Sequence, residues 1–228
     1  MARRRVLMVV TNHREITPDH PTGLWLSEFT EPYTVFRQAG YEVTVASLQG
    51  GKAPIDPRSL PETNDPETLA AIAPLEKTLP LREVDTDPFD AIFLPGGHGT
   101  MYDLPPSQEL GRVLRAFSES GRVIAAVCHG PAGLVGATLA DGSPLVKGKR
   151  VTGFTNEEER AAGFDTLMPF LLEDRLRELG ATFVGAPPWT DHVERDGNLI
   201  TGQNPQSSLS TARAVVEALA EAPTSVVN

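Results

Sequence analysis

Three short segments of this chain are apolar without interruption: Val6–Val10, Ala91–Leu94 and Val123–Val127. A strand with one face in water alternates apolar and polar residues, whereas a run with no polar member must be covered on both sides. Residues at helical spacing follow the first two. After the first come Leu24, Trp25, Leu26 and Phe29. Pro32 is expected to interrupt that helix before Tyr33, Phe36 and Ala39 resume the spacing and Gly40 closes it. After the second come Leu110, Val113, Leu114 and Phe117, closed by Gly121. The third leads into a helix expected from near Pro131 to about Leu139. Tyr41–Ser47 reads as one more strand. Arg150–Gly153, Thr182–Val184, His192–Glu194 and Leu199–Thr201 read as shorter ones, with Asp196-Gly197 as a hairpin signal. Helices are expected over Phe170–Leu179 and Ser208–Ala220. This alternation predicts an α/β fold, a single doubly wound and mostly parallel sheet with helices on both faces.

The 228 residues suit one domain over 1–228. Residues 48–88 are the least regular part. Pro54, Pro57, Pro61, Pro66, Pro74, Pro80 and Pro88 punctuate them, and apolar residues recur, so they read as a long decorated loop rather than a linker. Asp65-Pro66 is placed to cap one short helix over Glu67–Ala73. Acidic residues outnumber basic ones by 30 to 20, a formal charge of -10, which argues against a nucleic-acid-binding role. Arg3-Arg4-Arg5 reads as a solvated chain start. The apolar run behind it has five residues, short of the roughly 7–15 of a signal-peptide core and the roughly 20 of a membrane helix. A soluble, cytoplasmic protein is expected. One cysteine, Cys128, cannot form an internal disulfide, so it is either a buried small hydrophobe or a reactive thiol.

Its neighbours favour the second. In Val123-Ile-Ala-Ala-Val-Cys-His-Gly-Pro-Ala132 a buried strand ends, a nucleophile-type residue follows, and small residues open a helix. That is the pattern of a nucleophile elbow, which lifts a side chain to the carboxyl edge of the sheet, where α/β folds bind ligands. His129 is an adjacent proton acceptor, and a helix N-terminus favours thiolate. Pro95-Gly-Gly-His-Gly99 ends another strand, and its glycines let backbone amides approach a ligand. Together with the His129 amide they are candidates for an oxyanion hole.

The elbow Ala126-Val-Cys-His-Gly-Pro-Ala132 resembles that of the ThiJ/PfpI superfamily, relatives of class I glutamine amidotransferases. Three further stretches resemble the subgroup of stress-inducible chaperones and glutathione-independent glyoxalase III proteins. These are Gly23-Leu-Trp-Leu-Ser-Glu-Phe-Thr-Glu-Pro-Tyr33, Val151-Thr-Gly-Phe-Thr-Asn-Glu-Glu-Glu159 and Asp196-Gly-Asn-Leu-Ile-Thr-Gly-Gln-Asn-Pro205. The resemblance runs from Val6 to about Leu219. It implies a flavodoxin-like fold, Cys128 as nucleophile, His129 as general base, Glu28 against the sulfur, and Glu159 as the third triad acid, with Glu158 one place away as the alternative. It implies oxyanion amides from Gly97 and His129. Trp25, His98 and Phe154 are candidate pocket residues. No metal or cofactor is expected, and a homodimer is.

The activity so implied is cofactor-free, cysteine-dependent conversion of 2-oxoaldehydes such as methylglyoxal to hydroxy acids. The alternatives are an amidase or peptidase using the same nucleophile, or a holdase chaperone or redox-responsive stress protein. One motif points toward the amidase: His192-Val-Glu194 has the His-x-Glu pattern of amidotransferases, although it lies in the expected hairpin. His13 and His20 read as loop residues. No His, Cys and carboxylate group in the sequence has metal-ligand spacing.

Overall fold

The computed structural model describes residues 3–61 and 66–221. Its centre is a seven-stranded sheet made of β1 (Arg5–Val10), β2 (Glu42–Ser47), β3 (Leu79–Pro80), β4 (Ala91–Leu94), β5 (Val123–Val127), β6 (Val193–Asp196) and β7 (Leu199–Gly202). The spatial order is β6-β7-β5-β4-β1-β2-β3. All neighbours pair in parallel except β6, which turns back on β7 through the Asp196-Gly197 hairpin.

The uninterrupted apolar runs occupy the middle of this order, as two-sided burial requires. Leu7, Val9, Ile92, Leu94, Ile124 and Ala126 face one core, which includes Leu110, Val113, Leu114 and Phe117 of the helix Gln108–Glu119. Val6, Met8, Val10, Phe93, Ala125 and Val127 face the other, under the helices Leu26–Gln38 and Ser208–Glu221. Because β1, β4 and β5 lie side by side in register, the segments leaving their carboxyl ends meet: Thr11–His13, Pro95–Gly99 and Cys128–Pro131.

Several expectations change. The helix from Leu26 runs through Pro32 without a break to Gln38. Pro32 gives up the amide that would bond the Glu28 carbonyl, and burial of Phe29, Pro32 and Phe36 holds the helix together across it. The helix after the elbow is one turn, Ala132–Val135, rather than a run to Leu139. At Gly136 the Pro105 carbonyl presses so close that a Cβ would sit 2.0 Å from it, and Thr138 then bridges Pro144. Tertiary contact thus overrides the helical pattern. Arg150–Val151 and Thr182–Phe183 pair with each other in a separate parallel ribbon, outside the main sheet. The helix expected from Phe170 spans Leu172–Glu178. The proline-rich stretch supplies β3, the helix Pro66–Ile72, and Ile55, which bridges Leu24; Asp65 lies outside the described residues. No helix among the described residues is long and apolar enough to cross a membrane.

Candidate active site

Cys128 follows β5 directly and takes φ +60°, a left-handed conformation uncommon for a side chain other than Gly, Asn or Asp. Its amide bonds the Gly202 carbonyl and its own carbonyl accepts from the Phe154 amide at 2.8 Å. The strained turn is therefore held from both sides, and the elbow read from the sequence is present. The side chain is buried.

His129 and Glu28 are the two side chains that act on the sulfur, and Glu159 stands behind His129. His129 Nδ1 lies 3.4 Å from Cys128 Sγ, and His129 Nε2 lies 2.6 Å from Glu159 Oε2. Glu28 comes from the first turn of the helix Leu26–Gln38 and is fully buried. Its Oε2 accepts from the Gly96 amide at 2.6 Å, while Oε1 is buried without a hydrogen-bond partner, and the carboxyl and the Cys128 thiol influence each other's titration. Gly96 is required here. A Cβ would meet Glu28 Oε2 at 2.5 Å and the Val127 carbonyl at 2.6 Å. Gly97 has φ +102°, and its Cβ would strike the Gly23 carbonyl at 2.3 Å. Among the described residues the amides of Gly97 and His129 donate to no acceptor, and both residues line the cavity at the sulfur. Two free N–H groups beside a nucleophile are what an oxyanion requires.

Charge in the site is set by burial. Burial raises Glu28 to about 8, although the interaction with Cys128 and the Gly96 amide pull the other way, so it holds its proton at neutral pH. Burial also raises Cys128 well above the usual thiol value, followed by the charge of Glu28. This corrects the expectation of a thiol depressed by a helix N-terminus. The helix is a single turn, and a carboxyl faces the sulfur. Proton sharing between Glu28 and Cys128 belongs to the pair rather than to either group. Burial works against the charge on Glu159 as well. Its interaction with His129, then the hydrogen bond of His98, overcome it and hold the carboxyl well below its usual range.

Glu158 and Glu159 separate cleanly. Thr155 caps the helix Asn156–Ala162 in a capping box whose reciprocal acid is Glu158. The other oxygen of Glu158 accepts from the Trp189 amide and from the side chains of Gln203 and Asn204. Glu159, one residue on, turns to His129. His98, expected only to line the pocket, also binds Glu159, with Nε2 2.6 Å from Oε1. Burial and the neighbouring His129 hold His98 down at about 4. His98, His129 and Glu159 thus bring donor atoms within 4.8 Å of one another, a cluster that sequence spacing concealed. Each Nε2–O distance of 2.6 Å is that of a short hydrogen bond.

Above the sulfur lies a cavity of about 80 Å³. Trp25, Phe154, Trp189 and Pro205 form apolar walls, and Arg58 and His98 supply polar ones. This is far below the roughly 300–1,000 Å³ of pockets for drug-sized ligands. Arg58 and Trp189 carried no sequence signal, because only the folded chain brings them to the cavity. His192 and Glu194 do pair, at 3.2 Å, but Glu194 is also bound by Arg150 and neither residue lines the cavity. His13 stacks on Tyr102, and His20 sits in a small ribbon bonded to the Thr17 hydroxyl.

The family model for the DJ-1/PfpI family matches residues 22–218. The chain belongs to the DJ-1/PfpI family. Within it, the chain is similar to the glutathione-independent glyoxalase HSP31 of Saccharomyces cerevisiae, at 34% identity, covering 96% of this chain and 99% of the yeast protein. Among solved structures it is similar to glyoxalase III of Candida albicans, with 31% identity and a TM-score of 0.87, over 94% of this chain and 97% of that one. It is also similar to the 24 kDa rapid encystment protein of Francisella tularensis, with 36% identity and a TM-score of 0.90, over 95% and 99%.

Proposed function

We propose that this DJ-1/PfpI protein is a glutathione-independent glyoxalase, converting small 2-oxoaldehydes such as methylglyoxal to 2-hydroxy acids with Cys128 as nucleophile. The observation that carries the reading is the small cavity over the sulfur. It is sized for a few heavy atoms and flanked by an acid, a base and two free amides. The relatives named glyoxalases support it.

Cys128 Sγ adds to the aldehyde carbon C1 while its proton passes to His129 Nδ1. The new oxyanion is received by the Gly97 and His129 amides and takes the proton back, giving a hemithioacetal. The hydrogen on C1 then moves to C2 as a proton, and the hydroxyl proton on the C1 oxygen moves to the C2 oxygen. One carbonyl is gained at C1 and one lost at C2, so no electrons leave the molecule. Glu28 is the group for both transfers: protonated at neutral pH, it gives its proton to the C2 oxygen and as a carboxylate takes the C1 proton, then gives that proton to C2 and takes the one on the C1 oxygen. Water cleaves the resulting thioester, releasing the hydroxy acid and the thiol. Overall the aldehyde gains one water, with neither cofactor nor metal consumed. The proposal includes a homodimer working in the cytoplasm.

The test is methylglyoxal turnover without glutathione, run beside a panel of amides and short peptides. Lactate formation abolished in Cys128→Ala is the expected result. Turnover of the amides with none of the aldehyde would replace this reading by the amidase one.

A further inference from the structure

Glu159 has two imidazole partners, and the proposed reaction uses only one of them. His98 Nε2 lies 2.6 Å from Glu159 Oε1, and His98 Nδ1 lies 3.1 Å from Arg58 Nη2. Arg58 is itself fixed. Its Nε and Nη2 bond both oxygens of Asp56, at 3.0 and 2.6 Å, and its guanidinium lies over the Phe164 ring at 4.5 Å. Asp56 is buried and also accepts from the Thr22 hydroxyl at 2.7 Å.

We propose that Arg58 and His98 form a second arm on Glu159 that locks His129 in the tautomer with its proton on Nε2, so that the Nδ1 lone pair faces Cys128. This deepens the reading of Cys128 and His129 as nucleophile and base, and rests on it. Arginine only donates, so His98 Nδ1 must accept and carries no proton. The single ring proton of His98 is then on Nε2 and donates to Glu159 Oε1. Glu159 Oε2 is left to accept from His129, whose proton is therefore on Nε2. As the base of the proposed reaction His129 holds a single ring proton, which leaves its Nδ1 bare, at 3.4 Å from the sulfur.

The second arm matters because Glu159 is buried. Without His98, Oε1 would be an unsatisfied buried oxygen on a charged group, and the carboxyl would relieve this by taking a proton. A protonated Glu159 can donate to His129 Nε2. The imidazole proton would then move to Nδ1, facing the thiol, and the base would be lost. His98 and Arg58 are positioning residues in this account, acting through Glu159 rather than on the substrate.

The deciding measurement is long-range 1H–15N correlation of the imidazole rings in 15N-labelled protein. The chain has five histidines, and the His98→Gln and His129→Gln spectra assign the two that matter. The wild type should show His98 and His129 both neutral and both protonated on Nε2. In His98→Phe, His129 should shift toward the Nδ1–H tautomer, and iodoacetamide labelling of Cys128 at neutral pH should slow by about 10²-fold or more, the lower end of what a positioned base contributes. His98→Gln, which offers a donor and an acceptor from one side chain, should restore most of that loss. If His98→Phe fails to fold, Arg58→Met gives the same reading, with His98 losing its fixed tautomer. An Nδ1-protonated His98 in the wild type, or a His129 tautomer unmoved in either variant, would overturn the proposal. No measurement here uses an aldehyde, so failure of the glyoxalase reading would appear separately, in the turnover assay alone.

Discussion

Glu28 shows how one side chain couples folding to chemistry. A carboxyl with an ordinary value of 4.5 is raised to about 8 by complete burial. Between those limits the unfolded chain loses this proton and the folded chain keeps it. The folded state then binds more protons, and stability falls as pH rises. Below pH 4.5 the cost is absent, and above 8 it is complete. At about 1.4 kcal/mol per unit it amounts to a few kcal/mol. Glu28→Gln removes the titration while keeping the shape, so its melting temperature should decline less than that of the wild type from pH 5 to 8, by thermal denaturation. The same variant should lose turnover, because an amide cannot carry a proton from C1 to C2. Equal pH-dependence of melting in the two proteins would mean that Glu28 ionises freely in the fold.

At the scale of elements, the helix Asn156–Ala162 carries two acids with opposite duties. Glu158 closes the capping box and gathers the Trp189 amide with Gln203 and Asn204, so it ties the cavity wall to the sheet. Glu158→Ala should cost about 3 kcal/mol, one cap at ~1 kcal/mol plus buried donors left unsatisfied at ~1–3 kcal/mol. Urea denaturation measures it, and a loss below about 1 kcal/mol would show the wall held by other means. On the hairpin, His192→Ala should leave turnover within about threefold of wild type, because that ring is engaged at Glu194 and the Val184 carbonyl, away from the cavity. This is the range of a surface change of about 0.5 kcal/mol. A loss matching His129→Ala would return the His-x-Glu pair to the chemistry.

The same elements show what the sequence made legible. The strands β1, β4 and β5 could be read because a double-sided burial pattern needs no tertiary information, and the elbow could be read because Cys128, His129, Gly130 and Pro131 are contiguous. The helical turn after the elbow could not, since its end is set by the Pro105 carbonyl against Gly136. Nor could the choice between Glu158 and Glu159, which depends on which side of a capped helix faces His129. Arg58 was hidden more deeply. It comes from a proline-rich stretch with no periodicity, and only its anchorage on Asp56 aims it at His98.

Across the whole molecule one count governs a measurement: 228 residues contain one thiol, so every alkylation event reports Cys128. Burial raises its value first, and the nearby Glu28 carboxylate raises it further. The midpoint of the iodoacetamide rate against pH should therefore lie above the roughly 8.5 of a free thiol. That is the opposite of the depressed value an elbow at a long helix would give. As pH rises the wild type ionises Glu28 near 8, and a negative carboxylate then opposes formation of a second negative charge beside it. Glu28→Gln removes that charge and leaves burial in place. Its midpoint should fall below that of the wild type while remaining above the free-thiol value. Labelling across pH 6 to 11, read as one added group by intact-protein mass, follows both. A wild-type midpoint below 8 would mean that His129 and the oxyanion amides outweigh burial. A midpoint unmoved in Glu28→Gln would mean that Glu28 and Cys128 do not share their charge.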